Sequence, residues 1–98
     1  SAPVLTNGKV SLSPATHQAY CGDIVEELSA REFALLHALL LRSGTILTRA
    51  ELEASIYGWN EEVESNAIDF LIHGVRKKLG ADVIKNVRGA GWIVEKTS

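Results

Sequence analysis

The chain has 98 residues and a formal net charge of −2, a size that suits one domain with a single modest core. Hydrophobic residues make up 46% of it, which excludes a disordered chain, and the slight acidity disfavours a protein that coats nucleic acid indiscriminately. It contains no apolar run of membrane-spanning length and no signal-peptide pattern, and the lone Cys21 suits a reducing compartment, so a cytoplasmic location without membrane contact is expected. The opening "SAPV" is typical of a boundary cut within a longer protein.

Charge is unevenly divided along the chain. Residues 1–64 contain four basic and nine acidic side chains, whereas residues 65–98 contain six basic and three acidic ones. The first segment therefore has a net charge of −5 and the second a net charge of +3. A chain divided in this way can present one basic surface to a polyanion and keep an acidic surface away from it.

Residues 4–26 are predicted to form a small antiparallel β-sheet. Asn7-Gly8 lies between short apolar segments, which is a strong turn signal for a β-hairpin. A second bend is indicated at Gly22, which precedes two β-branched residues.

Two capping boxes predict the starts of the next two helices. Ser29 is followed three positions later by Glu32, and Thr48 is followed in the same way by Glu51. In this pattern the cap side chain and its acidic partner each accept a hydrogen bond from a backbone N–H group at the helix start. The predicted helices cover residues 29–43 and 48–57, and the acidic loop "GWNEEVE" follows at 58–64.

The third predicted helix, residues 65–79, has two different faces. Apolar side chains recur at helical spacing and predict a core stripe with Leu71 at its edge. The stripe consists of Ile68, Ile72, Val75 and Leu79. The opposite face carries an amide, an aromatic ring, an imidazole and an ammonium group, on Asn66, Phe70, His73 and Lys77. This composition differs from that of a generic solvated face.

Other residues of this helix have structural explanations. Basic residues in a last turn favour the helix dipole, so Arg76, Lys77 and Lys78 do not by themselves indicate nucleic-acid binding. Lys78 points further round the helix and is interpreted as a solvated side chain. Gly74 lowers helix propensity by up to about 1 kcal/mol relative to alanine, which indicates either close approach to a partner or neutral drift.

Residues 83–96 are predicted to form a β-hairpin whose turn contains Arg88-Gly89-Ala90-Gly91. Strands, three helices and a hairpin, in that order, form an α+β arrangement typical of a winged helix-turn-helix. An α-helix fits the major groove of B-DNA, and an arginine on a slender hairpin fits the minor groove. The order of elements therefore favours DNA binding.

From about Val4 to Lys96, the chain resembles the C-terminal DNA-binding (effector) domain of OmpR/PhoB-type response regulators. The stretches that carry the resemblance are "LSAREFALLHALL", "LTRAELEASIYGW", "VESNAIDFLIHGVRKKLG" and "VRGAGWIVE". Among them, "SNAIDFLIH" is similar to the PmrA, QseB and ColR-like branch. The resemblance implies a winged helix with an N-terminal antiparallel β-sheet, three helices and a C-terminal β-hairpin wing. It also implies sequence-specific binding of double-stranded DNA and transcription regulation within a bacterial two-component phosphorelay.

The same resemblance implies partners. In the full-length protein a receiver domain, absent from this chain, would precede the domain and link it to a sensor histidine kinase. The family binds tandem direct repeats, so a homodimer on DNA is expected, without a cofactor. The loop before the third helix often contacts RNA polymerase, which implies Trp59, Glu61 and Glu62 here. Packing of Trp59 against the third helix is the alternative.

Carried over position by position, the resemblance implies a set of DNA-binding residues. These are Asn66, Phe70, Leu71, His73, Gly74, Arg76, Lys77, Asn86 and Arg88. Arg88 matches the family's minor-groove arginine. Arg76, Lys77 and His73 are expected at phosphates, and Phe70 is expected against a thymine methyl group.

Some positions depart from the family's common pattern. Leu71 stands where a histidine is frequent, and Gly74 stands where a basic or polar side chain is frequent, so two contacts are expected to be lost. The bare backbone at Gly74 is expected to give the groove wall room. Asn86 replaces a hydroxyl-bearing wing residue and can still hydrogen-bond a phosphate. Trp92 replaces a tyrosine and is expected to pack the wing against the core.

Two other classes of function compete with DNA binding. In a winged helix that binds only proteins, Phe70 and Leu71 would form an apolar anchor, and binding would be insensitive to salt. An enzyme would need a metal-ligand cluster, a phosphate-binding glycine loop or a nucleophile with its base, and the sequence contains none of these patterns. His17, His37 and His73 fall on three different predicted elements, so no catalytic role is expected.

Overall fold

The structure is a computed structural model, and it describes the fold of residues 5–58 and 62–96. A four-stranded sheet comes first and consists of β1 (Leu5–Thr6), β2 (Val10–Ser13), β3 (Gln18–Cys21) and β4 (Ile24–Glu27). Three helices follow, α1 (Ala30–Leu41), α2 (Arg49–Tyr57) and α3 (Ala67–Leu79), and then the hairpin of β5 (Lys85–Val87) and β6 (Gly91–Ile93). The predicted winged helix-turn-helix fold is confirmed. Among these residues, no helix combines the length and apolarity that a membrane span needs.

The N-terminal sheet is antiparallel throughout, with its strands in chain order. Asn7 forms the predicted first turn, because its side-chain oxygen accepts the backbone N–H of Val10 at 2.7 Å and that of Lys9 at 2.9 Å. Leu12 lies opposite Ala19 in the register of β2 and β3, and both are fully buried. One face of the sheet therefore closes the core from the N-terminal side.

Both predicted capping boxes are present. At α1, the Ser29 hydroxyl accepts the Glu32 N–H at 3.2 Å, and the Glu32 carboxylate accepts the Ser29 N–H at 2.9 Å. At α2, the Thr48 hydroxyl accepts the Glu51 N–H at 3.1 Å, and the carboxylate of Glu51 accepts the Thr48 N–H at 2.9 Å. The starts of both helices thus follow from three-residue spacings in the sequence.

The core forms where the helices meet the sheet and the hairpin. The predicted stripe of α3 is buried throughout, as are four leucines of α1. These residues are Ile68, Ile72, Val75 and Leu79 of α3, and Leu35, Leu36, Leu39 and Leu40 of α1. With one face of α3 committed to the core, the opposite face is left for solvent or a ligand.

The hairpin is joined to the segment before α2 by backbone hydrogen bonds. Leu47 N–H donates to the Trp92 carbonyl at 2.8 Å, and Trp92 N–H donates to the Leu47 carbonyl at 3.0 Å. A side chain at Gly91 would overlap the Leu47 carbonyl oxygen, so the close approach requires glycine there. Trp92 is buried, which confirms its predicted packing between wing and core.

Candidate nucleic-acid interface

The exposed α3 face, which we define as Asn66, Phe70, His73 and Lys77, points into solvent along the helix. Phe70 is 72% exposed, an unusual position for a large aromatic ring. An open recess of about 250 Å³ lies among Asn66, Asp69, Phe70 and His73. The face therefore offers hydrogen-bonding groups beside an apolar ring, as a surface that reads base edges and thymine methyl groups requires.

The wing presents its predicted residues to solvent. Arg88 lies in the turn between β5 and β6 and is exposed. Asn86 is also exposed, on β5 opposite Trp92 of β6. Trp92 is buried in the core, so it holds β6, the strand after this turn, against the rest of the domain.

Arg49 connects α2, α3 and the wing. Its Nη1 atom donates to Asp69 Oδ2 at 2.8 Å and to the Ser65 carbonyl at 3.0 Å. Its guanidinium carbon lies 5.1 Å from the centroid of the Trp92 ring, within cation–π range. The hydrogen bond to Asp69 raises the pKa of Arg49 above its ordinary value. This role of Arg49 could not be predicted from the sequence, because no residue near it in the sequence indicates its partners.

Arg76 bonds within the chain. Its Nε and Nη2 atoms donate to the Ile84 carbonyl at 2.9 and 2.6 Å. The side chain is half-buried and ties the last turn of α3 to the segment that leads into β5. The phosphate contact predicted for Arg76 stays a prediction, because the two bonds to Ile84 use only two of the five N–H donors of the guanidinium group.

Leu71 and Gly74 lie away from the exposed α3 face. Leu71 is half-buried and packs against the core cluster. At Gly74, an added Cβ atom would lie 2.5 Å from Oε2 of Glu32 in α1. The interpretation that Gly74 gives room to the wall of a groove is therefore wrong in this structure, because the missing side chain faces another helix.

Lys78 is not a solvated side chain, so that interpretation is also wrong. Its Nζ atom donates to Glu32 Oε1 at 2.7 Å and to the carbonyl of Glu27 at 3.0 Å. Burial acts to raise the pKa of the Glu32 carboxyl, but hydrogen bonds from Lys78 and Ser29 and the charge of Lys78 outweigh it, so the pKa lies below its ordinary value. The neighbouring Lys77, by contrast, is exposed.

The loop before α3 is described only in part. Trp59 and Glu61, which were predicted to contact RNA polymerase, lie outside the described residues. Glu62 is exposed and lines an open recess together with Tyr57 and Phe70.

Two of the three histidines meet at one aromatic ring. The His17 ring stacks on the Phe33 ring with centroids 4.0 Å apart, and the centroid of the His37 ring lies 5.5 Å from that of Phe33. His73 lies apart from them on the exposed α3 face. Within residues 5–58 and 62–96, no group of three or more His, Cys, Asp or Glu side chains is arranged to hold a metal ion.

The fold and this surface together define a winged-helix domain of the helix-turn-helix class. A family profile described as "Transcriptional regulatory protein, C terminal" matches residues 24–94. The chain therefore belongs to this family.

Relatives of known name support the assignment. The response regulator protein PmrA of Pseudomonas aeruginosa is 47% identical over 94 residues, which cover 96% of this chain and 42% of that protein. The transcriptional regulatory protein QseB of Escherichia coli O157:H7 is 40% identical over 88 residues, covering 90% of this chain and 40% of that protein. The chain thus spans less than half the length of these relatives, and the predicted response-regulator family is confirmed.

A solved structure supports the same fold. The DNA-binding domain of RstA from Klebsiella pneumoniae, crystallised in complex with the RstA box, has a TM-score of 0.81 and 25% sequence identity to this chain. The match covers 98% of this chain and 100% of that one.

Proposed function

We propose that the chain binds double-stranded DNA in a sequence-specific manner and regulates transcription, with α3 in the major groove and the wing in the minor groove. The observation that carries this proposal is the link between the two basic elements. Arg49 bonds Asp69 of α3 and lies over Trp92 of the wing, so it links a polar helix face to an arginine-bearing hairpin. Such a pair suits neighbouring grooves of one duplex.

The exposed residues have distinct proposed roles. Lys77 and His73 contact phosphates and set the register of α3 on the duplex. Phe70 lies against a thymine methyl group, and Asn66 donates to a base edge or phosphate. Arg88 enters a narrow, A·T-rich minor groove. Among the other predicted site residues, Asn86 and Arg76 contact phosphates, while Leu71 and Gly74 support α3 from the side away from DNA.

The proposal extends to the assembly in which the domain works. The chain binds tandem direct repeats as a homodimer, and its loop residues Trp59, Glu61 and Glu62 contact RNA polymerase. In the longer protein, a receiver domain and a sensor histidine kinase control this binding. The chain acts in the bacterial cytoplasm, where its DNA ligand is found, and it acts as a binding module rather than as an enzyme.

Substitution of the wing arginine tests the proposal. A duplex selected from a random pool by the wild-type chain provides the probe. Arg88→Ala should weaken binding roughly tenfold and lower the slope of log affinity against log salt by roughly one. Lys9→Ala is the matched control, because it removes an equal charge from an exposed turn of the N-terminal sheet. Unchanged binding by the Arg88 variant at several salt concentrations would contradict the wing assignment.

A second function is favoured by one observation, the 72% exposure of Phe70. A ring this exposed suits an anchor for a protein partner as well as a thymine methyl group. Phe70→Ala separates the two functions. DNA binding predicts altered preference at one base pair of the selected site, whereas a protein partner predicts an unchanged preference.

For the loop, transcription assays of Trp59→Ala and Glu62→Ala should show reduced activation with intact DNA binding and stability.

A further inference from the structure

We propose that Gly74 is a positioning residue: its bare backbone receives the carboxylate of Glu32, and the resulting contact with Lys78 sets the orientation of α3 on α1. We call these three residues the Glu32 cluster. The inference rests on the proposed DNA binding and adds to it a determinant of specificity that touches no DNA.

The first observation is the distance between the two helices at Gly74. An added Cβ atom would lie 2.5 Å from Oε2 of Glu32 and 3.6 Å from its Cδ atom. The first distance is far inside van der Waals contact, so a side chain at position 74 requires Oε2, at the end of the Glu32 side chain, to move. Gly74 is also the one helical glycine among the described residues, which makes its placement against a charged group informative.

The second observation is how firmly the carboxylate is held. Glu32 Oε1 accepts the Ser29 N–H at 2.9 Å and Nζ of Lys78 at 2.7 Å. The Glu32 side chain is 13% exposed and that of Lys78 is 32% exposed, so water screens this pair less than it screens an ion pair on the open surface. Lys78 also donates to the carbonyl of Glu27, the last residue of β4. The Glu32 cluster thus joins the start of α1, the end of β4 and the second half of α3.

The third observation is the place of the cluster on α3. Gly74 and Lys78 are the chain neighbours of His73 and Lys77, which belong to the exposed α3 face. A rotation or shift of α3 at Gly74 therefore moves the groups proposed to contact DNA. Close-packed elements transmit such shifts, and a recognition surface tolerates displacements of only about half an ångström.

Drift of an unimportant position is the competing explanation for Gly74. Under that explanation Gly74→Ala stabilises the chain, because alanine has the higher helix propensity. Under the proposal the same change moves Glu32 away from Ser29 and Lys78 and tilts α3. The two explanations therefore predict opposite changes in melting temperature.

The test compares variants on two duplexes, one selected from a random pool by the wild-type chain and one of unrelated sequence. Gly74→Ala should lower the melting temperature and weaken binding to the selected duplex roughly three- to tenfold, with less than about twofold change on the unrelated duplex. Glu32→Gln should have the same effect on the ratio of the two affinities, since glutamine keeps the capping acceptor but removes the charge that holds Lys78. Glu51→Gln, in the capping box of α2, is the matched control and should leave the ratio unchanged.

A double variant makes the test specific. In a Glu32→Ala background the obstructing carboxylate is gone, so Gly74→Ala should no longer lower the melting temperature or the affinity ratio. The proposal is overturned if Gly74→Ala melts at or above the wild-type temperature with an unchanged ratio, or if it melts lower while the folded variant keeps the ratio. If the wild-type chain binds both duplexes equally, the proposed function is contradicted. If the wild-type chain is selective and the Gly74 variant is equally selective, only the role proposed for Gly74 is contradicted.

Discussion

The starts of α1 and α2 use the same capping box but have different surroundings. Glu32 at α1 is 13% exposed and pairs with Lys78 of α3 at 2.7 Å. Glu51 at α2 is 45% exposed and pairs with Arg42 at 3.4 Å. The same four-residue pattern therefore leaves the start of α2 at the surface and joins the start of α1 to α3, the proposed recognition helix. The motif thus specifies a helix start and not the tertiary role of its carboxylate.

The two carboxyl groups also reach a lowered pKa by different routes. For Glu32, burial opposes the shift, and the hydrogen bonds from Lys78 and Ser29 with the charge of Lys78 overcome it. For Glu51, the hydrogen bond from the Thr48 backbone is the largest cause of the lowered pKa, followed by the one from the Thr48 side chain. One shift thus depends on the packing of distant elements, and the other is mainly local.

Removal of the carboxylates should give the largest difference between the two helix starts. Glu32→Ala should lower the free energy of unfolding by roughly 1–3 kcal/mol, because it removes a cap acceptor and leaves a partly buried ammonium group without its carboxylate. Glu51→Ala removes a cap acceptor and a well-screened pair with Arg42, so it should cost clearly less. Urea unfolding of both variants measures the difference, and equal losses would show that the tertiary contact of Glu32 adds nothing.

Removal of the cap hydroxyls should make the two helix starts alike. Ser29→Ala and Thr48→Ala should each cost about 1 kcal/mol, since both hydroxyls accept one backbone N–H at an exposed helix start. Thermal unfolding of the two variants provides the measurement. A much larger loss at Ser29 would indicate that the hydroxyl, rather than the carboxylate, distinguishes α1 from α2.

Acid should remove the contribution of the Glu32 charge. Because the folded-state pKa lies below the ordinary value of 4.5, the stabilisation is fully present above that value and is lost as the pH falls through the folded-state pKa. The gap in unfolding free energy between wild type and Glu32→Gln should therefore be constant near neutral pH and should narrow as the pH falls below 4.5. Chemical denaturation across this range checks the sign, and a gap that widens in acid would contradict it.

The smallest effect is expected at Arg42. Its guanidinium lies 3.4 Å from Glu51, and both side chains are about half exposed, so the pair is strongly screened by water and salt. Arg42→Ala should unfold at nearly the wild-type urea concentration. Lys78→Met, in which the Glu32 carboxylate loses its partner, should unfold at a visibly lower concentration, and equal behaviour of the two variants would remove the contrast between the helix starts.

The elements that could be predicted from the sequence are those that depend on interactions between residues close together in the chain. The capping boxes depend on residues three positions apart, and the core stripe of α3 depends on the helical repeat, so both can be identified without coordinates. The Asn7 turn and the hairpin that carries Arg88 have similarly short-range signals. These elements, taken in order, were enough to predict the winged helix.

The predictions that failed concern partners distant in the sequence. Lys78 was expected in solvent, but its carboxylate partner lies 46 positions away in α1. The contact of Gly74 with α1 could not be predicted, because a helical wheel shows which residues share a face and not how closely another helix approaches. The position of Arg49 over Trp92 has no signal in the sequence, since this contact exists only once the hairpin has packed beside α2.

The pairing of Leu47 with Trp92 has a mechanical consequence for recognition. Two backbone hydrogen bonds join the wing to the segment ahead of α2, and Arg49 joins α2 to α3, so contacts within the domain set the spacing between helix and hairpin. We expect the distance between α3 and the wing to stay the same when the domain binds different duplexes. A duplex whose grooves are spaced differently must twist or bend to fit, and the stiffness of base pairs that the protein never touches then contributes to affinity.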